Sequence, residues 1–128
     1  MGIISVILAA AAAWVFGAVW YGMIGTRWMD AQGLTDQTID RSNPLPYIGS
    51  FLCCLVVAGM TRHVLAMSGI DGVGKAAVTG LGLGLFIAAP WIATNVLFGQ
   101  KSRSLIWMDG VYPAGGMTLM GFVLGIFH

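Results

Sequence analysis

Charged side chains are scarce in this chain, and their scarcity excludes most classes of soluble protein. Lysine, arginine, aspartate and glutamate together make up 9% of the 128 residues. A soluble domain carries roughly 25% charged residues, because its surface must face water. Hydrophobic residues make up 58% of the chain, and its mean hydropathy is +0.86. We therefore expect lipid, rather than water, to surround most of the molecule.

The chain has almost no net charge, and it has too few cysteines for a disulfide framework or a zinc site. Its formal net charge of +1 provides no basic surface for nucleic acid. The two cysteines, Cys53 and Cys54, are adjacent. Neighbouring cysteines rarely reach disulfide geometry, and two thiols alone cannot complete a zinc site. We expect both to be small packing residues, and we expect no metal and no cofactor.

Four apolar segments are long enough to cross a hydrocarbon core of about 30 Å as helices. They cover residues 3–24, 44–67, 72–98 and 105–127. Alternation of apolar and polar residues, which a barrel strand requires, is absent from all four, so helices are predicted. The first segment is also longer than the apolar core of a signal peptide. The sequence thus predicts one all-α domain over residues 1–128, a bundle of four transmembrane helices.

Prolines and one long loop interrupt this regular pattern. Pro90 and Pro113 lie inside the third and fourth predicted helices, where proline cannot donate a hydrogen bond to the residue four positions earlier. Both helices are therefore predicted to be kinked. The longest loop runs from Gly25 to Asn43. Within it, the segment Thr35–Ile39 predicts a short interfacial helix.

Basic and aromatic residues predict how the bundle lies in the membrane. The first and third loops hold four basic residues, whereas the opposite side holds two, which places both termini outside the cytoplasm, in the periplasm. Aromatic residues near the ends of spans predict interfacial anchors. The four basic residues are Arg27, Arg41, Lys101 and Arg103, the two are Arg62 and Lys75, and the anchors are Trp20, Trp28, Tyr47 and Trp107.

Small residues recur at helical spacing in three of the predicted helices. Stripes of this kind let helix backbones approach closely in lipid, where apolar burial drives no association. They are compatible with packing inside one chain or between copies. The predicted packing positions are Gly17 in the first helix, Ala76, Gly80, Gly84 and Ala88 in the third, and Gly121 and Gly125 in the fourth.

Polar residues at membrane depth are the best candidates for a functional site, because their burial in lipid is costly. Alternate threading of the four helices gathers several of them on the side of the first and third loops. One interpretation is a site for a proton, an ion or a small ligand. The other is a hydrogen-bonded clasp that fixes helix order, for example between Asp109 and Arg27. The cluster consists of Tyr21, Arg27, Asn95, Asp109 and Tyr112.

Several short stretches together resemble a known family. They are Gly17–Tyr21, Thr26–Met29, Pro90-Trp91 and Ser104–Tyr112. This combination is similar to the bacterial membrane family catalogued as domain of unknown function 1761, and the similarity covers most of the chain. It implies a small four-helix membrane protein of bacterial type. It implies no activity, cofactor or catalytic residue.

Two functional hypotheses follow, and a third has little to support it. The first is a non-enzymatic protein of the bacterial inner membrane that acts through helix contacts, as a homo-oligomer or as an accessory subunit of a larger membrane assembly. The second is an oligomeric channel or carrier that uses the polar cluster around Asn95 and Asp109. An enzyme or redox subunit would need a site that we do not find. A metal or haem site would rest on His63 and His128 alone.

Overall fold

The computed structural model describes residues 2–34 and 43–127, and its secondary structure is entirely helical over these ranges. The helical segments between Val73 and Phe98 follow one another without a break, so that they form one continuous rod. The predicted all-α class is confirmed for the described residues. In chain order the elements are α1 (Gly2–Met23), α2 (Gly25–Gln32), α3 (Leu45–Met67), α4 (Val73–Leu83), the π-helical turn (Gly84–Ala88), α5 (Ala89–Phe98) and α6 (Ser104–Ile126).

Three of these rods are long and apolar enough to cross a membrane, namely Gly2–Met23, Leu45–Met67 and Val73–Phe98. They indicate a membrane protein. α6 has the same length as α3, 23 residues. Asp109, Pro113 and several glycines lie inside it.

α6 lies at the centre of the molecule. α1 and α4 both pack along it, and α2, α3 and α5 also contact it. α3 packs mainly against α1, and it has little contact with α4. Many of the buried residues in the main core are alanines, such as Ala9, Ala13 and Ala58. Small side chains of this kind bring helix backbones together, which is the usual way that helices associate in lipid.

Backbone meets backbone where α4 and the π-helical turn cross α6. A Cβ atom at Gly80, Gly84 or Gly121 would overlap a backbone carbonyl of the facing helix. Only glycine fits at such positions, because any side chain would force the helices apart. The stripes of small residues in the third and fourth predicted helices therefore pack against each other within one chain.

The predicted loop from Gly25 to Asn43 begins instead with helix α2. Trp28 and Ala31 are three residues apart, so that they lie on one face of α2, and Ile24 immediately precedes this helix. This face packs against a small buried cluster formed by Val96, Leu105 and Met108. Tertiary packing thus overrides the weak local helix signal of the segment. The interfacial helix predicted at Thr35–Ile39 lies outside the described residues.

A π-helical turn lies just before Pro90, whose nitrogen carries no N–H to donate to the helical ladder. Within it, the backbone N–H of Ala89 donates to the carbonyl of Gly84, five residues earlier. Single π-helical turns are rare, and they often coincide with an interruption of the regular ladder. Pro113, by contrast, lies inside an uninterrupted α6.

Candidate functional site

The carboxylate of Asp109 is the acceptor at which three helices meet. The Tyr21 hydroxyl donates to its Oδ1 atom at 2.8 Å, and the indole N–H of Trp28 donates to the same oxygen at 2.9 Å. Tyr21 lies in the last turn of α1, Trp28 on α2 and Asp109 in the second turn of α6. One oxygen atom thus joins α1, α2 and α6.

The interruption of the helix between α1 and α2 allows both donors to reach this oxygen. Tyr21 and Trp28 are seven residues apart, which is about two turns of a continuous helix. They would then be separated by about 10 Å along the axis. A bend at Ile24 brings α2 into contact with α6, and the rings of Tyr21 and Trp28 meet edge to face with centroids 5.6 Å apart.

Tyr112 and Cys54 extend the cluster away from the loops towards the middle of the helices. The ring of Tyr112 packs edge to face on Tyr21, with a centroid distance of 5.6 Å. Its hydroxyl lies 3.4 Å from the Sγ atom of Cys54 on α3. Gly17 allows this arrangement, because a Cβ atom there would strike the Tyr112 ring. We call Tyr21, Trp28, Asp109, Tyr112 and Cys54 the Asp109 cluster.

A second tryptophan strengthens the junction between α1 and α6. The indole N–H of Trp20 donates to the backbone carbonyl of Met108 at 2.8 Å. Its ring also packs edge to face on Trp107, with centroids 6.2 Å apart. Neighbouring residues of α1, Trp20 and Tyr21, thus bind neighbouring residues of α6, Met108 and Asp109. This pairing sets the register of the two helices at this end of the bundle.

The other predicted members of the polar cluster lie elsewhere. Arg27 is exposed on α2, and Asn95 is exposed on α5. Over the described residues, neither side chain hydrogen-bonds to Asp109, so the acceptor is held by two aromatic donors rather than by the suggested Arg27 partner. His63 is exposed on α3, while Arg41 and His128 lie outside the described residues.

The predicted interfacial anchors occupy different environments. Trp20 and Trp28 donate their N–H groups to α6, as described above. Tyr47 is 54% exposed and Trp107 is 46% exposed, so that these two rings are accessible to surrounding lipid. The backbone carbonyl of Tyr47 accepts the indole N–H of Trp14 at 3.2 Å.

The arrangement around Asp109 favours binding over bond-making chemistry. A carboxylate that accepts two hydrogen bonds is a strong acceptor, because bonds to an ionised group are stronger than neutral ones. Its second oxygen, Oδ2, accepts no hydrogen bond from the residues that the structure describes. That oxygen is available to a water molecule or a cation. No described serine or histidine lies in contact with this carboxylate as a nucleophile would require.

Sequence reasoning did not place Trp28 and Cys54 in this cluster. Trp28 carries the signal of an interfacial anchor, and nothing in the spacing shows that its N–H points inward. Cys54 is buried, while Cys53 is exposed, and the adjacent pair hides this difference. A helical projection of α3 would reveal that Cys54 is the buried cysteine, because it shares one buried face with Ala58, Thr61 and Leu65.

The family assignment follows from the sequence as a whole. The sequence model of the family described as "Protein of unknown function (DUF1761)" matches residues 4–125. The chain belongs to the DUF1761 family. The resemblance noted from the sequence is thereby confirmed, and it covers every member of the Asp109 cluster. No curated protein matches this DUF1761 chain, and no solved structure matches it either.

Proposed function

We propose that the chain is a four-span protein of the bacterial inner membrane that acts without catalysis, through helix–helix contacts. It works either as a homo-oligomer or as an accessory subunit of a larger membrane assembly. α6 is the fourth span. With 23 residues it is about 34 Å long, enough to cross a hydrocarbon core. Its polar residues are compatible with lipid because the other helices cover them.

The third rod, Val73–Phe98, carries the proposal of a contact function. It packs along α6, and it has little contact with α3. Its opposite face presents large apolar side chains, with Phe86 74% exposed, Trp91 72% exposed and Phe98 90% exposed. Exposed aromatic residues are enriched in protein interfaces, where they supply a large contact area. We propose this face as the surface for a second copy or for a partner helix.

Kinks in the third and fourth helices belong to the same proposal. Pro90 and Pro113 each remove one donor from the helical ladder, and the π-helical turn beside Pro90 supports a bend there. Such a bend turns the aromatic face of α5 away from the axis of α4. In the proposed orientation both termini face the periplasm, which is supported by Lys101 and Arg103 in the loop before α6.

Native mass spectrometry of the protein extracted in mild detergent tests this function. We expect multiples of the 13.5 kDa chain mass, or a complex of reproducible composition. Trp91→Ala and Phe86→Ala are expected to shift the protein towards the monomer. Val56→Ala serves as the matched control, since Val56 is 74% exposed on α3. A wild-type protein that is strictly monomeric and free of partners would overturn the proposal.

A channel or carrier is the second candidate, because the Oδ2 atom of Asp109 has no donor among the described residues. A carboxylate inside a membrane helix often marks a path for protons or ions. However, Asn95 lies apart from Asp109, and four helices leave little room for an aqueous path in one copy. If transport is the function, Asp109→Asn abolishes an ion- or pH-dependent flux in proteoliposomes while the protein stays folded.

A further inference from the structure

An apolar groove of about 380 Å³ lies between α6 and the adjoining part of the third rod. Its depth comes from small residues on both walls, Ala89 and Ala93 on α5 and Gly110 and Ala114 on α6. Trp107 forms part of the wall nearest to the start of α6. From Trp107 to Ala114 the groove extends about 10 Å along the α6 axis. It is separate from the Asp109 cluster and from the exposed aromatic face of α5.

A basic residue, Arg103, lies about one helical turn before Trp107 of the groove wall. Arg103 occupies the N-cap position of α6 with helical backbone angles, and its side chain is exposed. Positions 103, 107, 110 and 114 follow the spacing of four, three and four residues that defines one helix face. Arg103 therefore begins the same face of α6 that forms the groove. Over the described residues its guanidinium has no hydrogen-bond partner.

Trp107 supplies a free donor between the cation and the apolar groove. The N–H groups of Trp14, Trp20 and Trp28 all donate within the chain. That of Trp107 has no acceptor among the described residues, although the residue is only 46% exposed. From its N-terminal end onward, this face of α6 thus presents a positive charge, a hydrogen-bond donor and the apolar groove.

We propose that this groove is a binding site for an anionic phospholipid. One acyl chain lies between α5 and α6, an ester carbonyl accepts the indole N–H of Trp107, and the phosphate group pairs with Arg103. Anionic headgroups are favoured because each basic residue near the surface contributes about 1 kcal/mol to their binding. Lipid binding is a property additional to the proposed contact function, and an experiment can reject either proposal without rejecting the other.

The size of the groove favours an acyl chain over a partner helix. A helix with its side chains is about 10 Å wide, so that a 10 Å length of it fills roughly 800 Å³. The groove offers about 380 Å³. A slender hydrocarbon chain fits within this space, whereas a helix would contact it with one face only.

Lipid binding is measured by native mass spectrometry of the full chain in nanodiscs that contain phosphatidylglycerol and phosphatidylcholine. We expect retained phosphatidylglycerol adducts on the wild type. Arg103→Gln is expected to lower the preference for phosphatidylglycerol about fivefold, the equivalent of one basic contact. Trp107→Phe keeps the ring, removes the N–H donor and is expected to lower retention of both lipids. Ala93→Leu fills the groove and is expected to abolish retention.

Matched controls separate this site from general contact with the bilayer. Arg62→Gln removes an exposed cation at the opposite end of the bundle, and Ala18→Leu enlarges an exposed residue on α1. Both are expected to retain lipid like the wild type. The proposal is overturned if Arg103→Gln and Ala93→Leu retain the same lipids as these controls. It is also overturned if the wild type retains phosphatidylglycerol no better than phosphatidylcholine.

Discussion

Asp109 shows how a carboxylate can be accommodated inside an apolar helix at the centre of the molecule. The two aromatic donors, Tyr21 and Trp28, supply the hydrogen bonds that water would otherwise provide, and both come from the preceding segment of chain. Their rings also shield the charge, because Tyr21 packs against both Trp28 and Tyr112. At the scale of single residues, the Asp109 cluster is therefore a structural junction.

Removal of this acceptor is expected to destabilise the protein in a graded manner. Asp109→Asn keeps an oxygen that can accept both bonds but loses the charge, whereas Asp109→Ala leaves the Tyr21 hydroxyl and the Trp28 N–H without their acceptor. We expect Asp109→Ala to lower the free energy of unfolding by about 1–3 kcal/mol and Asp109→Asn by less. Thermal denaturation in detergent measures both changes.

Asp30→Asn is the control for this pair of variants. Asp30 is an exposed carboxylate on α2, and its side chain makes no hydrogen bond to the described residues. We expect its substitution to leave the thermal transition unchanged. If Asp109→Ala and Asp30→Asn melt at the same temperature as the wild type, the Asp109 cluster does not hold the helices together.

At the scale of elements, the crossing of α4 and α6 depends on glycine at a few positions. Gly80 and Gly82 provide a matched comparison within α4. A Cβ atom at Gly80 would overlap the backbone carbonyl of Met117, whereas a Cβ atom at Gly82 would meet nothing within 4 Å. Both glycines thus lie inside α4, but Gly80 packs against the backbone of α6, whereas Gly82 faces open space.

We expect Gly80→Ala to lower the free energy of unfolding by about 1–3 kcal/mol, as overpacking does in close-packed interiors. Gly82→Ala is expected to be neutral or to stabilise the helix by up to about 1 kcal/mol, since alanine restricts the unfolded chain. Unfolding in detergent compares the two variants. Equal stability of both would contradict the backbone contact between α4 and α6.

The long helices could be predicted from the sequence, because apolar runs and their ends are local signals. Asn43-Pro44, for example, marks the start of α3 at Leu45, and the side-chain oxygen of Asn43 accepts the N–H of Leu45 at 3.0 Å. α2 could not be predicted in this way. Its helical state depends on the contact of Trp28 and Ala31 with residues that are more than sixty positions away.

Part of the candidate site could also be predicted, because the order of the helices determines which residues share an end of the bundle. Tyr21, Asp109 and Tyr112 share one end of the bundle in any alternating arrangement of four helices, and the structure brings them together. The orientation of each helix about its own axis is not encoded in the spacing of polar residues. For this reason the spacing does not show that Asn95 lies on an exposed face of α5, or that the N–H of Trp28 reaches Asp109.

At the scale of the whole molecule, α6 is the helix on which the others assemble. Three rods have the length and the apolar character of membrane spans, and α6 lies between them. If α6 also crosses the membrane, the loop before it and its C-terminal end must face opposite sides. This arrangement is the central claim, because the Asp109 cluster and the lipid groove both lie on α6.

Single-cysteine labelling with a membrane-impermeant maleimide tests this claim most directly. In a Cys53→Ser, Cys54→Ser background, Ser102→Cys probes the loop before α6 and Phe127→Cys probes its end, since both positions are exposed. We predict that Ser102→Cys reacts only from the cytoplasmic side and Phe127→Cys only from the periplasmic side. Labelling of both cysteines from the same side would show that α6 does not span the membrane, and it would contradict the account.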